Sequence, residues 1–413
     1  VIDDGWRCQI DQLQLAFDDF AASKDLLVSP GVTLEELNIS ASGRSVDGKV
    51  SVSGPFDGTW QEIALSLPGA AGTFSFQDEE LQAAVDIVDL NDAVSGSVQW
   101  SRNAAADTGA LEVRNGWASF DRARLSDYAP GWMLPFDVLQ GSWDVDLQLQ
   151  WQATNGIPQY RGAASMTLDG IGGTYTDIAM ICLATELSVT IDPAEGLGLQ
   201  TAPVSIRLLD VGVPLENIVF EYGADLEAQS VSVAGLSLDV FGGAVSADPF
   251  EYALTSESND VMLRARDIQL QLMVDILEFE SLAMTGTISG ELPVTMTDDK
   301  ITVSDGQLDN DSAGTIRYRP PAGALDAVAP GGGLGPITQT LTNFEFETLS
   351  STINYTEGGD MKLLMRIVGV NPDIDPDQPY AFNLNLENNI PQMLRSLRAV
   401  RSIEDILKQR TEN

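Results

Sequence analysis

The ten residues Ser142–Trp151 read SWDVDLQLQW, and their alternation leaves the chain little conformational choice. Trp143, Val145, Leu147, Leu149 and Trp151 take every second position, with Asp144, Asp146, Gln148 and Gln150 between them. Successive side chains of an extended chain point to opposite sides, so the stretch predicts a strand with one dry face and one wet face. The dry strip must lie against apolar matter. That is either the core of a closed domain or a greasy ligand lying in an open groove.

The same period runs along most of the chain. Val50 and Val52, Ile63-Leu65-Leu67, Leu292-Val294-Met296, Ile301-Val303 and Phe382-Leu384-Leu386 all keep it, the last with Asn383, Asn385 and Glu387 interleaved. Clusters of Gly, Asn and Asp (SGRSVDGK, ATNGIP, FGGAVSAD, LDNDSAG, TEGGD) punctuate these runs as turns between consecutive antiparallel strands do. LEVRNGWASFDRARL, LDVFGGAVSADPFEY and ITVSDGQLDNDSAGTIRY share an apolar-x-Val opening, a Gly two or three residues on, and then another strand. Without a fixed period this is no leucine-rich solenoid; it reads as one meander of similar hairpins. Roughly two dozen strands at about 4.8 Å spacing would make a continuous sheet about 110–120 Å long. Open twisted sheets rarely pass about ten strands without curling or splitting. The expectation is therefore two or three closed domains, or a sheet curled into a long trough. All seven Trp lie at or before Trp151, which marks a change of character near ATNGIP.

Few helices are expected. Asp267 to Leu282 places Ile268, Leu272, Ile276 and Phe279 near helical spacing behind Asp267 as a cap. Asp127–Leu139, broken by Pro130 and Pro135, predicts a short helical corner. The strongest helical signal is Ile390 to Lys408, capped by Asn389 with Gln392 three residues on and Pro391 in the first turn. Met393, Leu394, Leu397, Val400 and Leu407 form its apolar stripe.

Charge and composition exclude several functions. With 61 Asp and Glu against 22 Lys and Arg, the net charge of −39 argues against nucleic acid and against anionic membrane surfaces, both of which need basic patches. There is no histidine, which removes Ser-His-Asp and Cys-His catalysis and the usual zinc sites. Cys8 and Cys182 leave a disulfide and two free thiols equally open. No apolar run approaches the roughly 18–20 residues of a membrane helix. VIDDGWRCQ starts in mid-pattern without a signal peptide, as an excised segment of a longer protein would.

The remaining motifs favour plain readings. Asp373, Asp375 and Asp377 of DIDPD open like a calcium loop, but Gln378 and Leu384 stand where that loop needs Gly and Glu. PGGGLGP (Pro330–Pro336) lacks a following Lys and reads as a linker rather than a phosphate cradle. Asp18-Asp19 and Asp298-Asp299 are the neighbours expected by chance among so many acids. No catalytic residue, metal site or cofactor is expected. Arg395, Arg398 and Arg401, with Lys408 and Arg410, gather cations in a chain otherwise poor in them; they complement the helix dipole or form a partner-docking element.

One region carries a resemblance. MTGTISGELPVTMTDDKITVSDGQLDNDSAGTIRY (Met284–Tyr318) is similar to the Gly-x-x-Ser-Gly-x-x-Pro-Val … Asp-Gly-x-Leu … Gly-x-Ile-x-Tyr pattern of the YdbH family. It continues in Gly369–Pro372 (Gly-x-Asn-Pro), Asn385-Leu386-Glu387-Asn388-Asn389 and Leu394–Leu397, so that the specific part spans about Arg266–Leu397. The resemblance implies an AsmA-like relative of TamB and YhdP: a periplasmic protein, anchored in the inner membrane by an N-terminal helix, that bridges inner and outer membranes. It implies an elongated, curled antiparallel β-sheet whose open hydrophobic groove carries phospholipid acyl chains. It also implies a small outer-membrane lipoprotein of the YnbE kind as partner, bound by strand addition at the exposed sheet edge. A "dicarboxylate transport" label attached to the family's C-terminal region finds no fixed cations here to support it.

The reading is thus all-β with few short helices and a C-terminal amphipathic helix. Its segments are 1–155, 156–265 and 266–389 of β-groove, then 390–413 of helix and tail. The expected groove residues are Trp143, Val145, Leu147, Leu149, Trp151, Leu292, Val294, Met296, Ile301 and Val303, with Arg395, Arg398 and Arg401 for docking. The competing readings are an assembly protein of closed β-domains, TamB-like in outer-membrane biogenesis, and a small-molecule module with one compact pocket. Closed domains would bury Trp143 and Trp151 fully; a groove would leave them lining an open apolar channel.

Overall fold

The structure, a computed structural model, describes residues 7–16, 20–21, 26–28, 31–40, 45–60, 63–88, 92–121, 124–128, 136–154, 157–175, 178–225, 228–276, 281–297, 300–319 and 339–393. These residues are overwhelmingly strand, and the strands described below pair antiparallel. The chain divides into two compact units, Val1–Ser205 with Gly223–Leu226, and Ile206–Tyr222 with Glu227–Asn413.

In the first unit ten strands pair as a meander. They are Arg7–Ala16, Gly31–Ser40, Ser45–Val52, Gly69–Gln77, Glu80–Val88, Val94–Asn103, Thr108–Ser119, Phe136–Thr154, Ile157–Tyr175 and Ile178–Asp192. The hairpin at ATNGIP pairs Thr154 with Ile157, as its turn chemistry predicts. Among the described residues the Arg7–Ala16 strand pairs on one side only, so the ladder is open and not a barrel. Phe20–Ala21, Leu26–Val28, Phe56–Trp60 and Ile63–Leu67 form a small separate sheet.

In the second unit the succession is Ser230–Val240, Gly243–Ala247, Asn259–Gln269, Thr287–Thr297, Lys300–Asn310, Phe344–Tyr355, Asp360–Asn371 and Asp375–Asn389. A packed core sits towards one end of these strands. Ile268, Leu270, Ile288, Leu308, Ile316, Phe344, Phe346, Leu349 and Ile367 are buried there together. Phe382 closes edge-to-face on Phe344, ring centres 5.2 Å apart.

The helix expected over Asp267–Leu282 is shorter and starts later. Asn259–Gln269 is a strand that includes Asp267 and the buried Ile268, and among the described residues helix occupies Leu270–Ile276 before the strand Leu282–Met284. Ile268 pairs in register with Ile288, and that cross-strand contact outweighs the local helical spacing. The predicted corner begins two residues early, as the single helical turn Leu125–Tyr128, and the strand Phe136–Thr154 already covers Leu139.

The repeat also needs correction. In LDVFGGAVSA the glycine does belong to a hairpin turn, with Phe241 and Gly242 both at positive φ. In LEVRNGWASF and ITVSDGQLDN it lies inside one continuous strand, behind Asn115 and Asp305 at positive φ. There the Asx-Gly pair makes a bulge, not a turn. The cap at Asn389 is as expected: its side-chain oxygen accepts the Gln392 N–H at 3.1 Å. Leu394 to Lys408, with Arg395, Arg398, Arg401 and Arg410, lies outside the described residues, as do Asp18-Asp19, Asp298-Asp299 and Pro330–Pro336.

Asn371, from the Gly369–Pro372 motif, is fully buried and holds the second unit's loops together. Its amide donates to the Thr340 carbonyl at 2.8 Å, and its oxygen accepts the Asp373 N–H at 2.9 Å. Replacement by alanine orphans both backbone groups. Asn371→Ala is expected to cost about 2–4 kcal/mol of unfolding free energy, read from the urea midpoint.

Candidate functional site

The feature that stands out is a face, not a pocket. Following the register of the first unit from strand to strand, Leu13 pairs with Leu34, Leu34 with Val50, Val50 with Gly72 and Gly72 with Val85. The row continues through Val98, Val113, Leu147, Ala164 and Val189. Ten strands contribute, and no polar side chain interrupts. A second row two residues along runs Gly48, Phe74, Ala83, Trp100, Leu111, Leu149, Gly162 and Ile191. Nine intervals at about 4.8 Å make this lane about 43 Å long.

The opposite face is built from the intervening residues. Lys49, Thr73, Ala84, Gln99, Glu112, Gln148, Ala163 and Thr190 pair in succession there. All but Glu112 are exposed, whereas the apolar rows are half-buried throughout, apart from Leu13. Trp143, Val145, Leu147, Leu149 and Trp151 are all half-buried, and the four polar residues between them are exposed. The strip is therefore neither the sealed core of a closed domain nor bare surface. Local packing orders its two ends. Trp143 meets the buried Phe120 edge-to-face at 5.5 Å, and the Trp151 indole lies across Gly109, its register partner, where a Cβ would collide with the ring.

The second unit repeats the plan. Leu238, Val245, Ala265, Gly290, Leu308, Ser351, Met365 and Leu384 form a row, and the one hydroxyl in it, that of Ser351, is spent on the Leu308 carbonyl at 2.9 Å. Val294 and Val303 lie in a parallel row with Val261, Tyr355 and Met361, and Met296 pairs with Ile301. Leu292 leans over Gly306 from the same face. The five residues expected here thus share one face. They are unequally covered: Val294 is buried while Ile301 is 50% exposed, and on the last strand Leu384 is 40% and Leu386 49% exposed. That strand, Asp375–Asn389, pairs only with Asp360–Asn371 among the described residues, so one edge is unpaired.

Sequence reading missed the small members of the lane. Gly72, Ala83, Ala164 and Gly290 carry no apolar signal of their own, and only the register shows that they keep the lane continuous.

The electrostatics belong to the polar face. A depression of about 670 Å³ lies there, lined by Lys49, Thr73, Gln99 and Glu112 among others. Its charges are already matched. Lys49 donates to Glu36 at 2.7 Å, which holds its ammonium charged above the usual range, and Arg114 is held likewise by Glu112 at 2.6 Å. Asp192 is kept below the ordinary carboxylate range by the Ala194 N–H and then by Arg161. Arg264 forks between Asp248 and Glu291. Cys182 is a free, half-buried thiol. Asp373 accepts the Asn343 amide and Asp375 accepts the Asp377 N–H, so both serve the local loop. No helix among the described residues is long and apolar enough to cross a membrane.

The class that fold and face define is an open antiparallel sheet with a continuous, partly uncovered apolar face. The comparisons give that sheet a family. The YdbH-like family, described as "Intermembrane phospholipid transport protein YdbH", matches residues 33–412, and this chain belongs to it. Over 228 residues the chain is 27% identical to the "Probable phospholipid transport protein YdbH" of Escherichia coli (strain K12). That match covers 53% of this chain and 25% of the relative, so the chain spans about a quarter of that protein's length. No solved structure matches the chain significantly.

The contact between Trp151 and Gly109 tests the lane's packing. A methyl at Gly109 forces the indole aside. Gly109→Ala is expected to cost about 1–3 kcal/mol, measured by chemical denaturation, with a shift in tryptophan emission.

Proposed function

We propose that this chain carries phospholipid acyl chains along its apolar faces, as part of a periplasmic bridge between the inner and outer membranes. The observation that carries the reading is the uninterrupted row from Leu13 to Val189, apolar on every strand yet exposed at Leu13 and left half-buried from Leu34 on. Removing a methylene from water is worth about 0.8 kcal/mol, so an acyl chain of roughly 16 carbons gains on the order of 12 kcal/mol by lying on such a face. Movement along the lane then exchanges one apolar contact for another, and no bond is made or broken. The groove residues are Trp143, Val145, Leu147, Leu149 and Trp151 in one unit, and Leu292, Val294, Met296, Ile301 and Val303 in the other.

The family membership supports the substrate, and the half-burial of Trp143 and Trp151 favours an open lane over closed assembly domains. The unpaired edge of Asp375–Asn389 suits strand addition by an outer-membrane lipoprotein of the YnbE kind, because its free N–H and C=O groups template a further strand. Arg395, Arg398 and Arg401 follow that edge in sequence and are assigned to the same docking. An inner-membrane anchor belongs to the full-length protein on this reading.

Native mass spectrometry with lipid extraction tests the transport role. The purified chain is expected to retain several phospholipids, and Leu147→Asp with Leu292→Asp to lose most of them while Gln148→Asp, on the polar face, keeps them. A folded wild-type chain free of lipid would overturn the reading. For the edge, Asn383→Lys with Asn385→Lys is expected to weaken capture of the lipoprotein by tenfold or more without loss of bound lipid, since edge lysines block strand addition.

A further inference from the structure

The ladder of the first unit is broken along one stepped line. In Val94–Asn103 the register shifts at Gly96, which sits at positive φ; in Thr108–Ser119 it shifts at Asn115 and Gly116. In Phe136–Thr154 it shifts on both sides of Gln140, next to Gly141 at positive φ, and in Ile157–Tyr175 on both sides of Ile171, next to Gly170. Cys182, also at positive φ, continues the line in Ile178–Asp192. The backbones meet closely there. A Cβ on Gly141 would lie 2.6 Å from the Gly170 carbonyl, and one on Gly96 would lie 3.0 Å from the Gly116 Cα.

The line divides two environments. On one side is the half-buried lane, Val145 to Trp151. At the line and beyond it are the side chains that are fully enclosed: Ala93, Ala118, Phe120, Ile171, Ala179 and Ile181. Bulges and glycine kinks bend strands and raise their twist, so these irregularities on five successive strands, with a step where Gly116 faces Val145 rather than Gly141, turn the sheet along a crease.

The crease is also latched. A bulge takes an N–H out of the ladder, and here a polar side chain of the next strand accepts it. Asp146 accepts the Asn115 N–H at 3.1 Å. The second unit uses the same device twice: Ser289 accepts the Asp267 N–H and Asn354 the Asp305 N–H, both at 3.0 Å. Asn115, Asp267 and Asp305 all have φ between 50° and 55°. Three latches of one geometry, two at Asx-Gly pairs and one at Asp267-Ile268, recur in both units and are not an accident of one hairpin.

We infer that this crease sets how far the apolar lane opens, and that Asp146 and Asn354 are positioning residues for the acyl-chain face. The inference rests on the lipid reading above for its function, though the crease itself can be measured without lipid. Asp146 lies on the polar face between Val145 and Leu147, so its loss leaves every lane side chain in place.

Three measurements on the full chain test it. Asp146→Ala is expected to speed hydrogen exchange at the Asn115 amide about tenfold, in keeping with the loss of one charge-assisted bond. Spin labels at Phe136 and Gln148, flanking the crease in a C8S/C182S background, are expected to give a broader distance distribution in this variant. Retained phospholipid is expected to fall by at least half. Asp146→Asn, which keeps an oxygen acceptor, is expected to restore all three. Should D146A fail to fold, Asn354→Ala reads the same latch in the other unit at the Asp305 amide. Faster exchange with an unchanged distance distribution would overturn the crease, and an altered distribution with unchanged lipid would overturn its link to the lane. A lipid-free wild-type chain whose label distances still respond to D146A would instead sink the transport reading and leave the crease standing.

Discussion

Register is the constraint on which everything else here depends. In a sheet with period-two side chains, a slip of one residue in one strand sends its entire apolar set to the wrong face. The first unit keeps register across nine consecutive pairings, so that Leu13, Val113 and Val189 stand on one face although 176 residues separate the first from the last in sequence. A lane of this kind is only as continuous as its worst-registered strand. That explains the small residues along it. Gly72 and Ala164 leave room for Phe74 and Met166 on the same face, and a larger side chain would add contact at one point while narrowing the path.

Bulges complicate that constraint and serve it. Each inserts a residue, which would invert the strand beyond it were the partner strand not to compensate. Between Val303 and Gly306 the extra residue is Asp305, and both flanking residues still point to the face of Leu308. The sheet therefore bends without exchanging its faces. Asn, Asp and Gly dominate these positions because they tolerate a left-handed backbone at little cost. Cys182 and Glu36 at the same φ show that register, not residue preference alone, places the bulge.

This explains what was legible from sequence and what was not. Alternation is local, so Trp143 to Trp151 and Leu292 to Met296 could be assigned to one face of a strand from ten residues each. The cap at Asn389 is equally local, a side chain and an N–H three residues apart. The bulge at Asn115-Gly116 uses the same residues as a hairpin turn; only its pairing with Asp144–Leu147, some 30 residues on, tells them apart. The helical spacing that runs from Ile268 through Leu272 and Ile276 starts one contact too early for a related reason, since Ile288 across the sheet claims Ile268 while Leu272 and Ile276 are helical. The second unit's core, drawn from Ile268, Leu308, Phe346 and Ile367 at long separations, has no local signature at all.

An apolar face left half-covered is a liability for most proteins, since contiguous exposed apolar patches of more than a few hundred Å² promote association. Two features here oppose that outcome. The interleaved polar residues and the net charge of −39 make approach of a second copy electrostatically unfavourable, and the effect weakens as salt screens it. The second is the proposed ligand. An acyl chain on the lane supplies the apolar partner that another sheet would supply in a sandwich, so the lipid stands in for half of a hydrophobic core. Folding and loading are then thermodynamically linked: whatever binds the folded sheet and not the unfolded chain stabilises the fold by that binding. A sheet that must release its lipid cannot rely on the lipid for its whole stability. The backbone ladder, the latched crease and the enclosed residues at and beyond it, Phe120 and Ile181 among them, supply the part that remains when the lane is empty.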